Sequence, residues 1–352
     1  MGGAPERPVR MLLVCRGSAV DGLGHVIRTR AFAERLPASV DARLVVLGDG
    51  VAAPLLEGLD IEWSIARDDR ALISHAAAID PDVVVFDTIR LQDFVFRALA
   101  ERAATVSLSP IFDHLEDVDL AFSRTRYERD GAATAPNRRY GLDYAILRKG
   151  CEQIDTGFYR RGVERDRISL AVSMGGADAP NRTLQVVQGL RDLAAPATFW
   201  VLLGEGYDHS YHQLVDAVRE DNRHEVILAK TNQSMWTILQ NCSLAILAGG
   251  VTTYEAVYAG LPSINLFESP DHRFLVRELV EAGAAVDAGV IDSDGMDGMR
   301  ATVAALEADR DALLDMHLRS RGMLDGHGAD RVVADIAAAV SGRARRGLRA
   351  AA

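Results

Sequence analysis

Gly22-Leu23-Gly24-His25-Val26-Ile27-Arg28 is the stretch on which the chain turns. An apolar run at residues 11–15 precedes it, and a helical pattern continues from it to Leu36. The order is strand, glycine turn, helix. Gly22 and Gly24 allow close backbone approach and unusual torsions. The first N–H groups of the helix lack partners within it, so they face whatever lies above the turn and favour an anion. His25 stands at that helix start, and imidazole is the side chain best matched to proton transfer near neutral pH. The stretch predicts that His25 is the general base of a site holding a phosphorylated ligand. A plain glycine turn with a surface or capping histidine has the same local sequence, so the rest of the chain decides between them.

The first half alternates short apolar runs with helical patterns. Strands are expected at 11–15, 43–47, 61–65, 83–86 and 105–108, with a last one at 120–122. Val83-Val84-Val85-Phe86 is continuously apolar and ends at Asp87, which suits a parallel strand buried on both faces. Strands separated by helices imply βαβ units and a doubly wound sheet. Ligands of such sheets bind beyond the carboxyl ends of the strands, where Arg16 and Asp87 fall. Asp87 is placed to meet a sugar hydroxyl or His25, or to cap the next helix. His114, beside Asp113, reads as part of a solvated loop rather than of a catalytic pair. Residues 127–166 are polar and irregular and mark the passage to a second domain.

The second half repeats the alternation, with strands expected at 168–173, 199–203, 225–228, 244–247 and 263–266. It carries two more strand–glycine–helix junctions. One is Met174-Gly175-Gly176-Ala177-Asp178, with Asn181 or Asp178 as the cap of the next helix. The other is Gly249-Gly250-Val251-Thr252-Thr253-Tyr254-Glu255. Its paired glycines bring N–H groups towards a ligand, and Thr252 and Thr253 offer hydroxyls to phosphate oxygens. Glu255, one turn into the helix, is placed to accept bonds from two ribose hydroxyls, or is simply a favourable acid in a first turn. Two similar halves, 1–160 and 161–352, suggest a ligand in the cleft between them. Helices at 309–323 and 329–340 would pack outside, the last positioned to cross back to the first domain.

Composition narrows the classes. The chain has 352 residues, 48% of them hydrophobic, and a formal net charge of −11, which disfavours a nucleic-acid surface. Cys15, Cys151 and Cys242 are far apart with no CxxC pair, which suits a reducing cytoplasm. No apolar run is long enough to span a bilayer, and residues 1–10 lack a signal-peptide core. Arg343, Arg345, Arg346 and Arg349 read as a solvated end, with weak contact to an anionic membrane surface as the alternative. Asp80-Pro81-Asp82 and Asp117-Val118-Asp119 have the DxD spacing of metal-dependent sugar transferases, but the first pair precedes a buried strand at the end opposite the expected site. No GxGxxG follows the first strand, which argues against a nicotinamide cofactor.

Gly22-Leu23-Gly24-His25 with Arg28, Tyr144-Ala145-Ile146-Leu147-Arg148, Met174-Gly175-Gly176-Ala177-Asp178 with Asn181, and Gly250-Val251-Thr252-Thr253-Tyr254-Glu255 occur in that order. Together they resemble the UDP-sugar hydrolase of the pseudaminic acid pathway and its spore-coat-polysaccharide relatives. More distantly they resemble the transferase that adds N-acetylglucosamine in peptidoglycan lipid synthesis. The resemblance implies a GT-B fold: α/β, two Rossmann-like doubly wound domains facing a central cleft. It implies a nucleotide sugar, a small-molecule acceptor or water, no cofactor and no metal. His25 would be the base. Gly22, Gly24, Gly175, Gly176, Met235, Gly249, Gly250, Thr252, Thr253 and Glu255 would hold phosphate and nucleotide. Thr231-Asn232-Gln233-Ser234-Met235 would meet the nucleobase. Arg16, Arg28, Asp87 and Asn181 are the candidates for the sugar and acceptor side.

Three departures from the hydrolase pattern fall in the first domain. Arg16-Gly17-Ser18 lacks the aspartate of an Arg-x-Asp arrangement. Asp87-Thr88-Ile89 lacks the tyrosine of Asp-x-Tyr. Ser109-Pro110 stands where paired aspartates are expected. The pattern implies the same donor handling with a different sugar or acceptor. A glycosyltransferase passing sugar to a small acceptor therefore leads, ahead of a hydrolase using water and of a non-catalytic nucleotide-sugar binder.

Overall fold

The computed structural model describes residues 7–129, 131–132, 137–191, 193–219, 223–231 and 235–350. Asn232, Gln233 and Ser234 of the expected nucleobase loop lie outside them, as do the side chains of Arg343, Arg345, Arg346 and Arg349.

The first sheet contains β1 (Val9–Gly17), β2 (Val40–Gly48), β3 (Glu62–Ala66), β4 (Val83–Asp87), β5 (Ala104–Ser107) and β6 (Leu120–Ser123). A small antiparallel pair, β7 (Tyr127–Glu128) and β8 (Gly131–Ala132), stands apart, and β9 (Arg138–Tyr140) closes the sheet edge. The order is β3-β2-β1-β4-β5-β6-β9, all parallel. The second sheet contains β10 (Ile168–Ser173), β11 (Ala197–Leu203), β12 (Glu225–Lys230), β13 (Leu244–Leu247), β14 (Ser263–Phe267) and β15 (Ala285–Val290). Its order is β12-β11-β10-β13-β14-β15, again parallel. In each sheet the chain reverses its direction of winding between two central strands. Those pairs are β1 and β4 in the first sheet, β10 and β13 in the second. A crevice opens at such a reversal, beyond the strands' carboxyl ends. All three glycine junctions and Asp87 lie at these two points.

Strand periodicity explains the layers. Met11, Leu13 and Cys15 of β1 join one apolar cluster and Leu12 and Val14 the other, because successive side chains point to opposite faces. The first cluster also takes Ala329, Val332 and Ile336 of the final helix, Gly328–Ala350. That helix therefore crosses back onto the first sheet, as expected.

The second sheet has its own large core, and a further cluster ties Ala145 and Leu147 of the connecting segment to Tyr254, Val257 and Phe267. Cys15, Cys151 and Cys242 are free and buried, and burial raises all three thiols, Cys242 to about 12. No described helix is long and apolar enough to cross a membrane.

Four strands escape the sequence pattern: the two-residue β7 and β8, which pair only with each other, and β9 and β15 of the main sheets. β9 is Arg138-Arg139-Tyr140, too polar to read as a strand, and it forms because β6 offers an open parallel edge. β15 contains Asp287 and Gly289, which break its apolar run. His114 corrects an expectation. It is buried, stacked on Phe96 at 4.3 Å, with Nε2 3.0 Å from the Leu91 carbonyl. It is a core histidine, not part of a solvated loop.

Candidate active site

His25 and Asp87 meet across the reversal between β1 and β4. Nδ1 of His25 lies 2.6 Å from Oδ1 of Asp87. Arg28, one turn along the same helix (Gly24–Ala33), donates from Nε to Oδ2 at 2.8 Å and from Nη2 to Oδ1. The Thr29 hydroxyl adds a bond to Oδ2 at 3.2 Å. Burial alone would raise the Asp87 carboxyl, but the charges of Arg28 and His25 outweigh it and hold the group well below the usual carboxylate range. Asp87 is therefore an anion at neutral pH and accepts from Nδ1–H, which leaves Nε2 as the basic nitrogen. Asp87 does not cap the following helix, Asp93–Ala100.

Beside this cluster a cavity of about 400 Å³ runs between the sheets, lined by Gly22, Leu23, Gly24, Gly175, Gly176, Gly250 and Thr252 among others. The helices Gly24–Ala33 and Val251–Ala259 both start on it, and neither has a side-chain cap. Their first N–H groups remain available to an anion. The middle junction differs. Asp178 accepts from the N–H groups of Arg182 and Thr183, each at 2.8 Å, so that helix start is already satisfied. Asn181 holds the N-cap position without a side-chain bond to the helix, and Asp178 supplies the capping carboxylate. Leu23 lines the cavity and packs close to Gly176 of the second domain. A Cβ on Gly176 would come within 2.8 Å of the Leu23 Cβ, so this glycine serves close packing between the halves.

The last junction separates into ligand-facing and structural residues. Gly250 and Thr252 line the cavity. Thr253 is fully buried and donates to Oδ1 of Asn265 at 2.6 Å, so it does not face a phosphate. Glu255 is also fully buried. It accepts from Arg148 Nε at 2.8 Å and Nη2 at 2.5 Å, and Trp236 Nε1 lies 3.4 Å away. Glu255 thus braces Arg148 of the connecting segment, and its buried carboxylate is not part of the cavity lining. Gly249 has φ +66°, and a Cβ there would overlap the Phe267 ring. Gly249→Ala is expected to cost about 1–2 kcal/mol for the left-handed backbone and about 1–3 kcal/mol for overpacking. Gly250→Ala, with open space around it, is the control. Thermal melting of the two variants checks this, and equal midpoints would refute it.

No protein-family model matches the chain. It is 20% identical over 275 residues to the uncharacterized protein MJ1062 of Methanocaldococcus jannaschii, across 74% of this chain and 56% of that one. It is 22% identical over 197 residues to the spore coat polysaccharide biosynthesis protein SpsG of Bacillus subtilis, across 55% of this chain and 56% of that one. The matched regions thus span about half the length of these curated relatives. Among solved structures, MurG of Acinetobacter baumannii aligns with a TM-score of 0.65 at 12% identity, over 93% of this chain and 98% of that one. The UDP-GlcNAc 2-epimerase of Neisseria meningitidis bound to UDP-GlcNAc aligns at 0.62 and 10% identity, over 93% and 99%. The calicheamicin glycosyltransferase CalG4 aligns at 0.60 and 14% identity, over 96% and 99%. The fold is GT-B.

Within the GT-B frame the remaining candidates are placed as follows. Arg16 pairs with Asp69 at 2.8 Å, and Arg28 is committed to Asp87, so neither presents a free guanidinium to a sugar. Asn181 has φ +56° and accepts from the Tyr207 hydroxyl at 2.9 Å. Met235 is nearly buried but reaches a small crevice that also takes Arg148, Gly204 and Thr252. Asp80 and Asp82 bind Arg10 and Arg7, and Asp119 binds Thr105. Among the described residues no group of three His, Cys, Asp or Glu side chains could hold a metal. Sequence reasoning missed Leu23 as the interdomain plug and Arg148 as the partner of Glu255. The apolar residue between Gly22 and Gly24 was the available signal for the first.

Proposed function

We propose that the protein is a glycosyltransferase that cleaves the anomeric C–O bond of a nucleotide sugar and passes the sugar to a small-molecule acceptor. The observation that carries the reading is the His25–Asp87 pair at the start of a helix whose uncapped N-terminus opens on the interdomain cavity. Asp87 orients the ring through Nδ1. Nε2 takes the proton from the acceptor hydroxyl as its oxygen bonds to the anomeric carbon. The nucleoside diphosphate leaves with the electrons of the broken bond, and its growing charge is met by the N–H groups at Gly250–Thr252 and by the helix dipole. This scheme assigns that charge to backbone donors and calls for no metal.

The test is nucleoside diphosphate release from UDP-, TDP- and GDP-sugars. The expected result is one donor that binds tightly, turns over slowly alone, and is released rapidly once an acceptor is supplied. EDTA is expected to leave the rate unchanged. Rapid, complete release with no acceptor would make water the nucleophile and the enzyme a hydrolase. Failure of every donor to bind would overturn the reading.

A further inference from the structure

Arg124 follows β6 at the ligand-facing end of the first sheet, two strands from Asp87. It is half-buried, and its guanidinium carbon lies 4.9 Å from the centre of the Tyr254 ring on the helix Val251–Ala259. Its Nε is buried without a hydrogen-bond partner. Arg10, Arg16 and Arg138 also have an unpartnered Nε, yet each reaches a carboxylate through another nitrogen. No carboxylate pairs with Arg124 among the described residues. Just past β5, the strand between, the Ser109 hydroxyl is also buried without a partner. Burial lowers Arg124 to about 10, with Tyr254 and Asp87 acting in the opposite direction, so it remains a cation at neutral pH. Buried charge is costly unless it is matched, and unsatisfied polar atoms just past the carboxyl ends of two neighbouring strands call for a partner.

We propose that Arg124 binds an oxyanion of the ligand, reaching it across the seam between the two domains. The anion has two candidate sources: the diphosphate of a nucleotide sugar, or a carboxylate on the sugar it carries. The choice of nucleotide probes rests on the proposed function; the anion site itself does not.

The test compares wild type with Arg124→Gln and Arg124→Lys. Inorganic pyrophosphate, read by thermal shift, carries the anion without a nucleoside. UDP, UDP-N-acetylglucosamine and UDP-glucuronate are titrated by calorimetry. If the diphosphate is the partner, R124Q abolishes the pyrophosphate shift and weakens all three nucleotides about tenfold or more, and R124K restores part of it. If a sugar carboxylate is the partner, only UDP-glucuronate weakens. Pyrophosphate binding through Arg124 with no nucleotide binding would sink the proposed function and keep this site. Equal shifts and affinities within about twofold in all proteins would overturn the inference. So would a lower melting point of ligand-free R124Q with unchanged anion binding, which marks a structural brace.

Discussion

His25→Ala is expected to slow nucleoside diphosphate release by about 100- to 10,000-fold while donor affinity stays within about twofold. The ring is held by Asp87 from one side, so its other nitrogen is the group positioned to take a proton. The cavity walls that would hold the donor, Gly250 and Thr252, belong to the other domain and do not depend on the imidazole. The rate and the affinity should therefore separate. Steady-state release measured beside calorimetric titration of the same donor checks this. Normal turnover in the variant would remove the base from His25, and loss of binding with loss of rate would make His25 a ligand contact.

Asp87→Asn is expected to damage both stability and rate. Arg28 is 6% exposed and relies on this carboxylate through two nitrogens. Removing one partner of a buried ion pair costs about 3–5 kcal/mol. The amide also ceases to hold the histidine tautomer, a change that costs about 10⁴ in rate in a hydrolase triad. The pH dependence follows from the depressed carboxyl. A group held below its unfolded value stabilises fully above the ordinary carboxylate range and loses that contribution as pH falls towards its folded pKa. The gap in melting temperature between wild type and Asp87→Asn should thus be largest near neutrality and shrink below about pH 4. A constant gap across that range would show that the charge is not what Asp87 supplies.

The two sheets were legible because their signals are local. Residues 83–86 and 244–247 are continuous apolar runs, and each of the three glycine junctions sits between such a run and a helical pattern. β9 and β15 were not legible because their pairing comes from a neighbouring strand edge rather than from their own residues. The candidate site divides in the same way. His25 at a helix start follows from strand, turn and helix in sequence. The fates of Thr253, Glu255 and Asn181 do not, since each polar group found a partner in the protein: Asn265, Arg148 and Tyr207.

By itself the sequence determined the alternation of strands and helices, the positions of the three junctions, and the placing of a histidine at the first. Periodicity and turn chemistry act over a few residues, so they are written along the chain. Tertiary structure alone decided which junctions stay open and which side chains remain free. Asp178 closes the middle helix start, Leu23 fills the seam against Gly176, and Asp87 reaches His25 across 62 residues. These depend on which strands lie side by side, and a buried polar group takes whatever partner that packing brings within hydrogen-bond distance.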